Sequence, residues 1–444
     1  MNVKIIPRSL SGKVKAIPSK SQAHRALICA ALSDKPTRIE CGGESNDITA
    51  TSSCLSALGA TITRGHGGYN VHPLNLDSNS AAVSLPCKES GSTFRFLLPV
   101  AAALGRKSSF ILEGRLPDRP LSPLYEELVR HGCGLSPQGA NPFCGEGKLT
   151  PGIYSLDAGV SSQFISGLLF ALPLLDGDSK LHLTGKIESF PYIELTLSML
   201  EKFCIMFEFK DMTFSIPGNQ KYISPETIYI EGDWSNAAFW LTAGALGEKD
   251  ITCEGLDLQS RQGDKAIKNI LAQFGAQIKT KPFPPHEDKT DIKNTVSKTE
   301  TNFCSVTVSG GKLKGIEIDA GDIPDLVPVL AAAAASAEGT TVIRNAGRLR
   351  AKESDRLAAI SSVLNELGAD VRVTEDGLLI KGVSSLKGGK VSSWGDHRIA
   401  MTAAVAASLC IEPVEIHNAQ AVNKSYPGFF DDFKLLGGSF EVIN

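Results

Sequence analysis

The sequence predicts a two-lobed α/β protein, each lobe built from three copies of one small α/β unit. Three observations predict it. An apolar helical segment rich in small residues recurs six times, opening at Ser21, Thr93, Ser162, Ser235, Leu326 and His397, with starts about seventy residues apart. An amphipathic segment follows each and ends near Gly59, Gly132, Cys204, Gly275, Gly368 or Gly437, so a second ruler returns the same period. Alternating stretches at 60–73, 205–218 and 369–382 then read as strand pairs. Such a period is too long for a solenoid unit, and six units fall most simply into two groups of three. Counting places the boundary at Ile230-Glu231-Gly232-Asp233.

Each unit is justified by its own residues. The first helix (SQAHRALICAAL is the earliest) has too little polar surface to face water, so it is expected in the core. The second is amphipathic and expected outside it, over a mixed sheet. The turns RGHGG, FKDM and TEDG carry the Gly and Asp that hairpins use. One interval is about twenty residues longer than the others; it contains 281–302, polar, Pro-bearing and aperiodic, which reads as a mobile surface loop.

Composition narrows the function. The 444 residues are 42% apolar and carry a net charge of -3, which argues against nucleic-acid binding and leaves positive potential to be local. The ten cysteines are scattered without CxxC spacing, as expected of reduced thiols in a cytoplasmic protein. The segment MNVKIIPRSL lacks the apolar region of a signal peptide, and no run approaches the roughly eighteen apolar residues of a membrane span.

Charge sits at the helix starts. Lys20, Arg95, Asp325 and Asp396-His397-Arg398 all lie within a turn of a first-helix opening, and helix N-termini attract anions. Arg25 follows Ser21 by one turn; Gly91 permits close backbone approach; Arg119 stands in a loop before a helix. Lys352 and Arg356, four apart in RAKESDR, are expected on one helix face with Glu353 beside them. Plainer readings exist for several: Ser21 as an ordinary cap, the Gly91 segment as an ordinary turn, RAKESDR as a solvated face, and Ser161, Ser162 and Ser189 as caps, while Lys424 taken singly is ambiguous. Charges leading into buried helices are costly unless paired, which favours function for Asp325 and Asp396-His397-Arg398. No P-loop, GxGxxG, GxSxG or metal-ligand cluster occurs, so an enzyme acting on anions without a cofactor is expected.

Taken together, PSKSQAHRAL, ESGSTFRFLLP, LPDRPLSPL, GVSSQFISGLL, ESFPYIELTL, IPDLVPVLAAAA, RAKESDRLAAI, GDHRIAMTAAV and NKSYPGFF resemble the enolpyruvyl transferase family, in order and over essentially the whole chain. They are most similar to its branch that acts on shikimate 3-phosphate. The resemblance implies an inside-out α/β barrel fold, with one lobe at 19–231 and the other made of 1–18 and 232–444. It implies transfer of the enolpyruvyl group of phosphoenolpyruvate to the 5-hydroxyl of shikimate 3-phosphate, releasing phosphate, in chorismate and aromatic amino acid biosynthesis. Glyphosate competes for the phosphoenolpyruvate pocket in that family.

Position by position, the resemblance puts shikimate 3-phosphate on Lys20, Ser21, Arg25, Ser161, Ser162, Gln163, Ser189, Asp325 and Lys352. It puts phosphoenolpyruvate on Lys20, Gly91, Arg119, Gln163, Arg356, Arg398 and Lys424. The chemistry needs one proton removed from a hydroxyl and one delivered to carbon, which two carboxylates can divide: Asp325 and Glu353, with Lys20 assisting at the phosphate. A monomer is expected, with no metal, nucleic-acid or membrane partner. Arg348 departs from the family's usual Asn, and 281–302 is longer than usual. The sister branch acting on UDP-N-acetylglucosamine usually has Asn after the first Lys and a Cys in the loop that reads EGRLPDRP here; Ser21 and the Cys-free loop argue against it. A non-catalytic anion-binding scaffold would have no use for Asp325 and Glu353 as a proton-transfer pair.

Overall fold

The computed structural model describes residues 1–65, 67–75, 82–282 and 303–443. Among them are twelve α-helices in six pairs. The first three pairs are α1 (Lys20–Ala31) and α2 (Asn46–Leu58), α3 (Gly91–Ala103) and α4 (Leu124–Arg130), α5 (Ser162–Ala171) and α6 (Phe190–Lys202). The last three are α7 (Trp234–Leu246) and α8 (Ile267–Phe274), α9 (Val327–Ala335) and α10 (Arg356–Glu366), α11 (His397–Ala407) and α12 (Phe429–Leu435).

The first helix of each pair is the buried one, as its composition requires: all nine residues of α9 and all eleven of α11 are buried. Small side chains let α7, α9 and α11 pack directly against one another. The second helices end in the left-handed conformation the repeat expects, with φ +116° at Gly59. Cys204, standing where the other five have Gly, adopts φ +59° despite its side chain.

Among the described residues, six four-stranded sheets share one order, a parallel pair followed by two antiparallel steps. In the first unit, Thr37–Glu40 pairs parallel with Thr227–Tyr229 and antiparallel with Gly68–His72, which pairs with Thr61–Gly65. The chain start completes two later sheets. Asn2–Ile6 lies between Val414–His417 and Ser439–Ile443, and Gly12–Lys15 pairs parallel with Ile251–Asp257.

Two hydrophobic cores result. One draws on residues from Ala23 to Ile230; the other joins Val3–Val14 to residues from Trp234 to Leu436. The two connecting segments lie side by side: Ser19 N donates to Glu231 O at 2.8 Å and Asp233 N to Ile17 O at 2.7 Å. A Cβ on Gly232 would lie 2.4 Å from Gly255 O, so the crossing admits no side chain there. Of 281–302, Lys281 and Pro282 end the strand Gln277–Pro282, which pairs with Phe303–Ser309; the rest lies outside the described residues.

Candidate active site

Five of the six first helices are capped upstream of where the sequence placed their openings or at the residue just before them. Ser19, Ser90, Ser161, Asp233 and Asp396 accept backbone N–H groups of α1, α3, α5, α7 and α11. The plain reading of Ser21 as a cap is therefore corrected: Ser19 does that work, worth about 1 kcal/mol, and Ser21 lines a cavity. This cavity, about 460 Å³, opens between the two cores. It collects Lys20, Ser21, Arg25, Gly91, Arg119, Ser161, Ser162, Gln163 and Ser189 from one side, and Asp325, Lys352, Glu353, Arg356 and Arg398 from the other. Lys424 lines the adjoining recess, its Nζ 3.8 Å from Glu353 Oε1.

The first wall holds cations on neutral acceptors. Arg25 is 3% exposed and donates to Thr196 Oγ1 (2.8 Å), Ser21 O (2.7 Å) and Tyr192 O (2.8 Å), with its guanidinium 5.0 Å over the Phe96 ring. Burial without a carboxylate among these partners brings its pKa down to about 10. Arg95 donates to Gln163 Oε1 (2.8 Å) and Pro120 O (2.9 Å), while its buried Nε has no hydrogen-bond partner among the described residues. Burial and the neighbouring Arg119 charge lower it well below the usual range. Lys20 and Arg119 are paired instead, Lys20 Nζ 2.8 Å from Asp47 Oδ2 and Arg119 Nη1 3.6 Å from Glu353 Oε1.

The second wall is a network of opposite charges centred on Arg356, which is 1% exposed. Its Nε donates to Asp396 Oδ2 (2.8 Å), Nη1 to Asp325 Oδ1 (2.8 Å) and Nη2 to Glu353 Oε2 (2.9 Å). Arg398 donates to Asp325 Oδ2 (3.1 Å) and Asp325 O (3.0 Å). Burial opposes ionisation of Asp325, and Arg398, Lys352 and Arg356 overcome it, holding the carboxyl well below its usual range. Glu353 is likewise buried and held well below that range by Arg356, Arg119 and Lys424. Lys352 and Arg356 do not share a helix face: α10 begins at Arg356, and Lys352 follows a 3-10 turn, Gly347–Ala351. They still converge, since Lys352 Nζ lies 3.8 Å from Asp325 Oδ1. Burial brings Lys352 down to about 8.

Several cavity residues escaped the sequence. Asp47 looks like any acidic first-turn residue, and only the structure turns it onto Lys20. Tyr192 donates to Asp325 Oδ2 (3.1 Å) and lies 3.3 Å from Asp264 Oδ2, linking α6 to the second core. Arg348 also crosses: both terminal nitrogens donate to Ser189 Oγ at 3.2 Å, Nη2 donates to Gly321 O at 2.6 Å, and Nε forms an ion pair with Glu188 at 2.5 Å without hydrogen-bond alignment. The departure noted at Arg348 thus adds a cation where the family's usual Asn would be neutral.

This geometry agrees with comparisons to known proteins. A profile of the family described as EPSP synthase (3-phosphoshikimate 1-carboxyvinyltransferase) matches residues 5–433. The chain belongs to the EPSP synthase family. A 3-phosphoshikimate 1-carboxyvinyltransferase of Clostridium kluyveri is 45% identical over 99% of this chain and 98% of its own length. One of Clostridium acetobutylicum is 44% identical over 98% and 97%. The structure of EPSP synthase from Acinetobacter baumannii superposes with a TM-score of 0.80 at 26% identity, covering all of both chains. The enolpyruvyl transferase NikO from Streptomyces tendae superposes with a TM-score of 0.74 over 99% and 98% at 17% identity, a likeness of fold alone. The chain is an enzyme, a transferase with the two-lobed α/β fold that its repeats predicted. Among the described residues, no helix is long and apolar enough to cross a membrane.

Proposed function

We propose that this EPSP synthase family member transfers the enolpyruvyl group of phosphoenolpyruvate to the 5-hydroxyl of shikimate 3-phosphate, releasing phosphate. We read 19–231 as one lobe, 1–18 with 232–444 as the other, and the enzyme as a cytoplasmic monomer. The observation that carries the reading is Arg356 joining Asp325 and Glu353 within one cavity whose opposite wall holds Arg25 and Arg95 on neutral acceptors. That arrangement supplies what the reaction needs: charge to hold two polyanions together and two carboxyls to move protons.

Shikimate 3-phosphate is assigned to Lys20, Ser21, Arg25, Ser161, Ser162, Gln163, Ser189, Asp325 and Lys352. Phosphoenolpyruvate is assigned to Lys20, Gly91, Arg119, Gln163, Arg356, Arg398 and Lys424. In the addition, the substrate oxygen bonds to C2 and its proton passes to Asp325, while C3 takes a proton from Glu353. The C2–O bond to phosphate then breaks, C3 gives its extra proton back to Glu353, restoring the double bond, and the departing phosphate, beside Lys20, takes up the proton first lost by the hydroxyl, returning Asp325 to its ionised form. Glu353 can hold a proton in this scheme because substrate anions draw on the same Arg119 and Lys424 charges that keep it ionised.

The test is phosphate release from phosphoenolpyruvate offered shikimate 3-phosphate or UDP-N-acetylglucosamine. Release with shikimate 3-phosphate alone is expected; the reverse pattern would overturn the assignment, and release with neither would favour a scaffold.

A further inference from the structure

Beneath the Lys20–Asp47 pair, a second contact joins the same two helices. His24 lies one turn beyond Lys20 on α1, and Thr51 one turn beyond Asp47 on α2. His24 Nδ1 sits 2.6 Å from Thr51 Oγ1, and Thr51 Oγ1 sits 2.6 Å from Thr93 Oγ1 on α3. Thr93 Oγ1 lies 2.8 Å from Ser90 Oγ, the cap of α3, which also accepts from Thr93 N at 3.3 Å. None of the four residues is more than 1% exposed.

We propose that His24, Thr51 and Thr93 are positioning residues that brace α1, α2 and α3 and so set the distance between Lys20 and the Gly91–Arg119 side of the cavity. This rests on the reading of the site given above, in which those groups hold phosphoenolpyruvate.

The proton count supports a brace of defined length. Burial lowers the His24 pKa to about 3, so the ring is neutral and carries one N–H. With that proton on Nδ1, His24 donates to Thr51, Thr51 to Thr93 and Thr93 to Ser90, each donor being used once. His24 Nε2, which has no hydrogen-bond partner among the described residues, is then only an acceptor. A chain of hydroxyl hydrogen bonds weakens as its links lengthen or bend, so it adds a directional constraint to the packing of the three helices.

The brace acts at one end of the site. Arg25 ties α1 to α6 through Thr196 and Tyr192, independently of Thr51 and Thr93. Cutting the brace therefore loosens α2, with Asp47, and the contact of α1 with the start of α3 beside Gly91, while α3 stays tied to α5 through Arg95, Ser92 and Gln163 and the groups assigned to shikimate 3-phosphate on α1, α5 and α6 stay joined.

The experiment is steady-state kinetics on Thr51→Val and Thr93→Val, which keep volume and remove the hydroxyl, beside Thr51→Ser, which restores it. The wild type is assayed first: failure to release phosphate with shikimate 3-phosphate defeats the functional reading and is distinguishable from failure of the brace. In the Val variants KM for phosphoenolpyruvate should rise about tenfold, in line with the sensitivity of catalysis to sub-ångström placement, with KM for shikimate 3-phosphate changed less than twofold. Thr51→Ser should return both to wild-type values, and so should His24→Asn, whose amide nitrogen reaches the Nδ1 position. Should a Val variant fail to fold, His24→Leu removes the first link at similar volume and is expected to show the same selective rise. Parallel rises in both KM values, or unchanged values in folded variants, would overturn the proposal.

Discussion

Arg25 and Arg356 are both buried guanidiniums on one cavity, and their surroundings differ in kind. Arg25 donates to a hydroxyl and two carbonyls, and its pKa falls to about 10. Arg356 donates to three carboxylates; burial opposes its charge, yet Asp396, Glu353 and Asp325 raise its pKa above the ordinary value. Arg25 therefore stores positive charge that an incoming anion can compensate. Arg356 is instead surrounded by carboxylates that compensate it. The two surroundings can be broken separately.

The largest effect should follow from the second wall's carboxylates. Glu353→Gln or Asp325→Asn is expected to lower kcat by on the order of a hundredfold or more while shikimate 3-phosphate still binds by calorimetry. Turnover near wild type in both variants would remove them from the mechanism.

The next prediction sets the two arginines against each other. Arg356→Met leaves Asp325, Glu353 and Asp396 facing one another without their shared partner, and should destabilise the enzyme by about 3–5 kcal/mol in urea unfolding. Arg25→Met removes a cation that burial already penalises, so its stability should change by about 1 kcal/mol or less. Its affinity for shikimate 3-phosphate should nevertheless fall about a hundredfold, the scale of a lost buried charge contact. Equal stability losses in the two variants would erase the distinction between the walls.

The sequence made the repeat legible because composition and periodicity are local signals. Cys204 was placed as the sixth helix terminator by counting alone, and its left-handed backbone agrees. The cations near helix starts were legible for the same reason. What pairs with them was not: Asp47 lies 27 residues from Lys20, and Asp264 and Tyr192 come from different cores. Helix boundaries shifted by one or two residues because Ser19, Ser90 and Asp233 cap ahead of the apolar run. The shared face expected for Lys352 and Arg356 failed because the chain takes a 3-10 turn there and starts its helix only at Asp355's cap.

A smaller, selective effect is expected at Gly91, the first residue of α3. Its backbone is outside the left-handed region, so no positive φ requires Gly there. A Cβ there would lie 2.9 Å from Arg119 Nη1, and the guanidinium, being a side-chain end, would move. Gly91→Ala should raise KM for phosphoenolpyruvate about tenfold, the usual scale for displacing one charged contact. Glyphosate, slightly longer in the same pocket, should lose inhibition by a larger factor. Parallel changes would mean that only the displaced Arg119 is felt.

The smallest effect tests whether the second wall is fully compensated. Asp264, 3% exposed, lies in the 3-10 turn Gly263–Ala266 and takes a hydrogen bond from Ser235 on Oδ2, where the Tyr192 hydroxyl, 3.3 Å away, is shared with Asp325, while Oδ1 has no hydrogen-bond partner among the described residues. Burial, then the Asp325 charge, raises its pKa from 3.8 to about 6. It is thus the anionic counterpart of Arg25. The folded carboxyl binds a proton more tightly than the unfolded one, so the group's cost to stability is full above pH 6 and disappears as pH falls toward 3.8. Asp264→Asn keeps an oxygen to accept from Ser235 and Tyr192 and removes the charge. Its Tm should exceed that of the wild type by about 2 °C at pH 7.5, with the gain shrinking through pH 6 and vanishing near pH 4. A gain independent of pH would assign the effect to packing, and a loss at pH 7.5 would show that Arg398, which faces both carboxylates, already balances Asp264 and that the second wall stores no charge of its own.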